Sequence, residues 1–67
     1  MEFKLKAEFI ELDNMLKVLE LVASGADAKQ QIQEGLVKVN GVVELRIRRK
    51  LKQGDLIEFG GNMITIT

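Results

Sequence analysis

Glycine-marked turns crowd the second half of this chain and divide it into short segments, of which only 44–52 is ambiguous in its structure. Gly35, the pair Asn40-Gly41, Gln53-Gly54-Asp55 and Gly60-Gly61-Asn62 all fall after the midpoint. Asn40-Gly41 is the strongest short hairpin signal, because both residue types tolerate the positive φ a tight reversal needs. What lies between these turns reads as short strand: Val37-Lys38-Val39, Val42-Val43, Leu56 to Phe59 and Met63 to Thr67.

The first half carries different rhythms. Phe3, Leu5, Ala7 and Phe9 alternate with Glu2, Lys4, Lys6 and Glu8. That period of two predicts a strand with one buried face. At Leu12-Asp13 the rhythm changes, and Asp13 reads as an N-cap whose carboxylate accepts from the free amides of a first helical turn. From Asn14 to Ala23 the polar positions are Asn14, Lys17 and Glu20, so a helix buried on most sides is expected. Ser24-Gly25-Ala26-Asp27 has the form of a capping box and starts a second helix, Gly25 to Glu34, closed by Gly35. Ala28, Ile32, Leu36, Met15 and Met63 are expected in the core, with Lys29, Gln30, Gln33 and Glu34 outward. Only one or two residues separate the helices on this reading, so they cross at an angle, and the small Ala26 and Ala28 permit close approach. The order is β, α, α, then several short strands.

Sixty-seven residues bound the chain to one domain, 1–67, with one small core. There is no Cys and no His, which removes disulfides, thiolate or zinc sites and His-based acid–base catalysis. No metal or cofactor is expected. No carboxylate sits in a motif that pairs an acid with a base, and no glycine-rich phosphate loop precedes a helix, so the reading is non-catalytic. No stretch approaches the roughly 20 apolar residues of a membrane span, and the alternating N-terminus is unlike a signal peptide. A soluble cytoplasmic protein is the expectation.

Charge is where function becomes legible. Residues 38–52 hold Lys38, Arg46, Arg48, Arg49, Lys50 and Lys52 against the single acid Glu44, although the whole chain has a formal net charge of zero. Clustered Lys and Arg are the footprint of a polyanion site, since each neutralises a phosphate and releases a condensed counterion. Arginines fork two phosphate oxygens, whereas lysines act as point charges. If residues 44–52 are extended, Arg46, Arg48, Lys50 and Lys52 share one face and Leu45, Ile47 and Leu51 the other.

The pattern Leu12-Asp13-x-x-Leu16, then Ser24-x-x-x-Ala28-x-x-x-Ile32-x-x-Gly35-x-Val37-x-Val39-Asn40-Gly41, then Leu51-x-x-Gly54-Asp55-x-Ile57 resembles the RNA-binding domain named after ribosomal protein S-four, also called the α-L RNA-binding motif. The segment Val43 to Leu51 is similar to a subgroup of small, stand-alone bacterial members. The resemblance implies an α+β fold, a two-helix unit packed on a small, mostly antiparallel twisted sheet. It implies an RNA-facing surface on the second helix and the strand–loop after it: Lys29, Gln30, Gln33, Lys38, Asn40, Arg46, Arg48, Arg49 and Lys50. Asn14, Lys17, Ser24 and Lys52 are further candidates. One departure is Gly25, where many relatives carry a basic residue. Only the binding module is expected within 1–67, without the catalytic domains that often accompany it.

The chain has no Trp and no Tyr, and its three Phe fit core positions, so stacking platforms for splayed bases are not expected. A structured RNA such as ribosomal RNA, held by backbone and shape, fits better. Neutralising roughly five phosphates gives an expected log–log salt slope of about −3.5 to −4.5. Two other classes fit part of the pattern. A protein-interaction adaptor could use the basic strip on an acidic partner. A ubiquitin-like sulfur carrier would end in Gly-Gly, but here Asn62 to Thr67 follow Gly60-Gly61.

Overall fold

Leu12, Met15 and Leu16 form one apolar stripe, and they sit fully buried on helix α1, Leu12–Val18, in a computed structural model that describes residues 1–67. Helix α2 spans Gly25–Gln33 and buries Ala28 and Ile32. Its start follows the expected capping chemistry. Ser24 Oγ accepts from the Asp27 amide at 3.1 Å, and Asp27 Oδ2 reaches back to accept from the Ala23 amide at 3.0 Å.

Both helices end in the same device. After α2 the amide of Gly35 donates to the Ile32 carbonyl and that of Leu36 to the Gln31 carbonyl. After α1 the amide of Glu20 donates to Lys17 and that of Leu21 to Leu16. These are paired Schellman bonds around a left-handed residue. Gly35 takes that conformation freely at φ 78, but Glu20 takes it at φ 58 with a Cβ in the way.

The strands are short. They are β1 (Glu2–Phe3), β2 (Ile10–Glu11), β3 (Val37–Val39), β4 (Val42–Val43), β5 (Lys50–Leu51), β6 (Leu56–Phe59) and β7 (Asn62–Ile66). Five form one sheet in the order β1-β7-β6-β3-β4, and β2 pairs with β5 in a second, two-stranded sheet. Every pairing is antiparallel except β1 with β7. The helix pair shares one core with the buried sheet residues Val37, Val39, Ile57, Ile64 and Ile66 and with Leu51 of β5. This is the α+β arrangement expected of the α-L motif.

Several local expectations are overturned. The N-terminal alternation does not form one strand to Phe9: β1 ends at Phe3, one further backbone bond runs from the Leu5 amide to the Thr67 carbonyl at 3.0 Å, and Phe9 is exposed. Helix α1 starts at Leu12 and ends at Val18, so Asp13 lies in its first turn and not at its cap. The helices are therefore joined by 19–24, not by one or two residues, and Val22 of that link is buried. Ala26 is exposed, leaving Ala28 as the small residue at the helix contact. Leu36 and Met63 are each about half exposed, not core, because one follows the α2 cap and the other stands on the open face of β7. No helix is long and apolar enough to cross a membrane.

The two caps set up a comparison. Glu20→Gly removes the left-handed strain and is expected to raise the unfolding free energy by roughly 0.5–1 kcal/mol, whereas Gly35→Ala introduces that strain and lowers it by about 1 kcal/mol. Urea denaturation of both variants at neutral pH measures the pair.

Candidate nucleic-acid interface

The basic run folds as a turn and not as an extended face. The Arg49 amide donates to the Arg46 carbonyl at 3.4 Å, reversing the chain through Ile47 and Arg48. Ile47 packs against the core, Leu51 is fully buried in β5, and Leu45 stands exposed, so the expected apolar face of Leu45, Ile47 and Leu51 is broken. The turn is held in place by α1. The amides of Leu12 and Asp13 need acceptors at the helix start, and they find the carbonyls of Arg49 at 2.9 Å and Ile47 at 3.1 Å. Glu11, at the N-cap, offers no side-chain bond. The basic loop is thus the backbone cap of α1.

A second tie works through side chains. Glu44 is the only polar residue buried in the protein, at 7% exposure. Its Oε2 accepts from the amide and Nε of Arg46 at 3.0 Å each, and its Oε1 accepts from Arg46 Nη2 at 3.0 Å and from Arg49 Nη1. The Arg46 side chain donates these bonds while remaining 72% exposed. Hydrogen bonds from the Arg46 guanidinium, opposed by burial and aided by the Arg46 amide and Arg49, hold the Glu44 carboxyl down at about 2. Glu44 raises Arg46 above its ordinary value in return, through the same hydrogen bonds and charge.

A third tie sits at the far end of the loop. Asp55 accepts from the Lys52 amide at 2.8 Å and from Asn40 Nδ2 at 3.0 Å, while Asn40 Oδ1 accepts from the Leu56 amide at 2.9 Å. Burial pushes the Asp55 carboxyl up, but the Lys52 amide, the Asn40 side chain and the charges of Arg49 and Lys52 outweigh it and leave it low.

These ties bring five cations together. Arg46, Arg48, Arg49, Lys50 and Lys52 line one open concavity with Asp55 and no apolar residue. Arg48 extends toward the helices, where it borders one hollow with Asn14, Lys17 and the acids Glu11 and Asp13, and another with Lys29 and Asp13. Other candidates lie elsewhere or are engaged in the fold. Lys38 opens onto a separate hollow with Phe59 and Met63 and faces Glu58 across the sheet. Asn40 binds Asp55 and Leu56, and its left-handed φ of 52 serves the hairpin. Ser24 is the cap of α2, Gln30 turns to Glu34 at 3.3 Å, and Gln33 borders none of the hollows.

Two residues matter here that sequence reasoning passed over. Glu44 counted only as the lone acid in a basic run, yet an acid two residues before one arginine and five before another is itself a signal for a clamp. Phe9 was assigned to the core, but it is 39% exposed and the Lys50 ammonium rests 4.9 Å from its ring centroid.

Comparison with known proteins places this geometry. Residues 3–67 match the family model described as S4 domain. An Escherichia coli (strain K12) protein bearing the name “Putative RNA-binding protein YbcJ” is 41% identical over 61 residues, covering 91% of this chain and 87% of that protein. A Shigella flexneri protein named “Uncharacterized protein YbcJ” matches at 41% over the same shares. A solution structure of YbcJ from E. coli, described as revealing an αL motif involved in RNA-binding, superposes with a TM-score of 0.74 at 40% identity, over 98% of this chain and 85% of that one.

The clamp has a pH signature. Because the folded pKa of Glu44 lies below its unfolded value, its stabilisation is complete above about 4.5 and disappears as pH falls through about 2. The carboxylate is shielded by its own arginines at the surface, so Glu44→Gln is expected to cost only roughly 1–2 kcal/mol at neutral pH after solvent screening. Urea melts of wild type and Glu44→Gln from pH 7 to 2 should show that difference closing below pH 4.5.

Proposed function

This chain belongs to the S4-domain family, and we propose that it is a non-catalytic binder of structured RNA, ribosomal RNA included, acting through its basic plate. The observation that carries this reading is the convergence of Arg46, Arg48, Arg49, Lys50 and Lys52 on one open surface with no apolar lining. A concavity of that kind offers little to a small organic ligand, which wants apolar walls. It suits a backbone that presents phosphates in series. The name of the E. coli relative and the described role of the αL motif in the neighbouring structure support the same reading.

The plate works as two kinds of contact. Arg46 and Arg49 are oriented in advance by Glu44, so their guanidinium groups lose little freedom on meeting a phosphate. Arg48, Lys50 and Lys52 have no ion pair within the protein. They contribute charge that release of counterions converts into affinity. Lys29, Asn14 and Lys17 border the hollows that Arg48 shares with the helices, and they would orient a groove edge or loop laid across the plate.

Glu44 and Asp55 offset part of the charge, so we expect about three to four phosphates neutralised and a log–log salt slope of roughly −2 to −3.6 against a structured RNA hairpin. Arg48→Ala with Lys52→Ala should make that slope shallower by roughly 1.5–2 and weaken binding about tenfold or more. Both residues are exposed, so thermal unfolding should be nearly unchanged. A slope near zero in wild type, or a double variant that binds as tightly, rejects the reading.

A further inference from the structure

Beside the plate lies an apolar hollow that phosphate binding does not use. Phe3, Leu5, Ile10 and Val18 form its floor and walls together with the exposed Phe9. Lys4 and Lys6 stand on its rim, Asn14 supplies an amide at its edge, and no acid lines it. The hollow adjoins the plate through one contact: Lys50 lines the basic concavity, and its ammonium lies 4.9 Å from the ring centroid of Phe9, which lines the hollow. The backbone enforces this junction, since β2 follows Phe9 directly and pairs Glu11 with Lys50 and Ile10 with Leu51.

An occupant must therefore be apolar on its faces, flat enough for an aromatic wall, and attached to a polyanion already lying on the plate. We propose that this hollow is a base-binding subsite that takes one unpaired nucleobase from the RNA held by Arg46 to Lys52. The inference rests on the RNA reading above and adds a preference within it. An RNA with an unpaired nucleotide next to its helix is bound better than a fully paired one. Stacking on Phe9 is tolerant of base identity, because every base has a π-face. The Asn14 amide is the one polar side chain in the lining that can both donate to and accept from a base edge.

The test uses the intact protein and two hairpin RNAs of identical stem, one blunt and one carrying a short single-stranded overhang with 2-aminopurine. Wild type is expected to bind the overhang hairpin about five- to a hundredfold more tightly than the blunt one, the range for one stacked base. The 2-aminopurine fluorescence should be quenched on binding. Phe9→Leu should abolish both the preference and the quenching, and Phe9→Tyr should restore both. Equal affinity of wild type for the two hairpins overturns the subsite and leaves the RNA reading standing. A preference that survives Phe9→Leu also overturns it, and would leave the hollow to an apolar partner of another class. Failure of wild type to bind either hairpin overturns the RNA reading and the subsite with it.

Discussion

The bond from the first amides of α1 to the carbonyls of Ile47 and Arg49 is the constraint around which the functional surface is built. A helix start leaves unpaired donors, and most helices satisfy them with a neighbouring side chain. Here they are satisfied by a loop more than thirty residues further along the chain. The consequence runs in both directions. The helix cannot form its first turn properly without the loop, and the loop cannot drift without exposing those amides. Five cations are thereby fastened to the most deeply buried helix of the protein, next to Leu12, Met15 and Leu16.

Bringing like charges together costs free energy, and the fold offsets it locally. Glu44 and Asp55 lie among the cations and are held ionised, Glu44 chiefly by the Arg46 guanidinium and Asp55 chiefly by the Lys52 amide and the Asn40 side chain. Each also binds backbone: Glu44 accepts from the Arg46 amide and Asp55 from the Lys52 amide. The two carboxylates therefore set the loop's shape as well as its charge. Asn40 completes this frame by joining the hairpin turn to Asp55 and to the start of β6. Asn40 and Ser24, candidate contacts on the sequence, also act as fasteners, Asn40 of the turn at Asp55 and Ser24 of the start of α2.

Much of this architecture was legible from short-range chemistry. Asn40-Gly41, Gly54 and Gly60-Gly61 are all in the positive-φ conformations that their turn positions require. The Ser24 cap and the Gly35 terminator of α2 act within four residues of themselves. What escaped was set by partners distant in sequence or by residues acting against type. Asp13 looked like a cap because nothing local reveals that Ile47 and Arg49 supply the acceptors. The end of α1 was missed because Glu20, a good helix former, is held left-handed by two Schellman bonds. In the candidate site, charge clustering pointed to Arg46 to Lys52, and those side chains line one concavity. It could not tell that Lys38, eight residues earlier, points to another hollow across from Glu58.

Glu44 has a consequence for selectivity. It is an anion already seated among the arginines and tethered there by the chain. A lone phosphate or a free nucleotide meets an incumbent and gains little by displacing it. A polymer can leave the incumbent in place, engage the outer edges of the guanidinium groups and recruit the lysines at several points in one event. On the proposed RNA reading, the buried acid thus favours chains of phosphates over single ones.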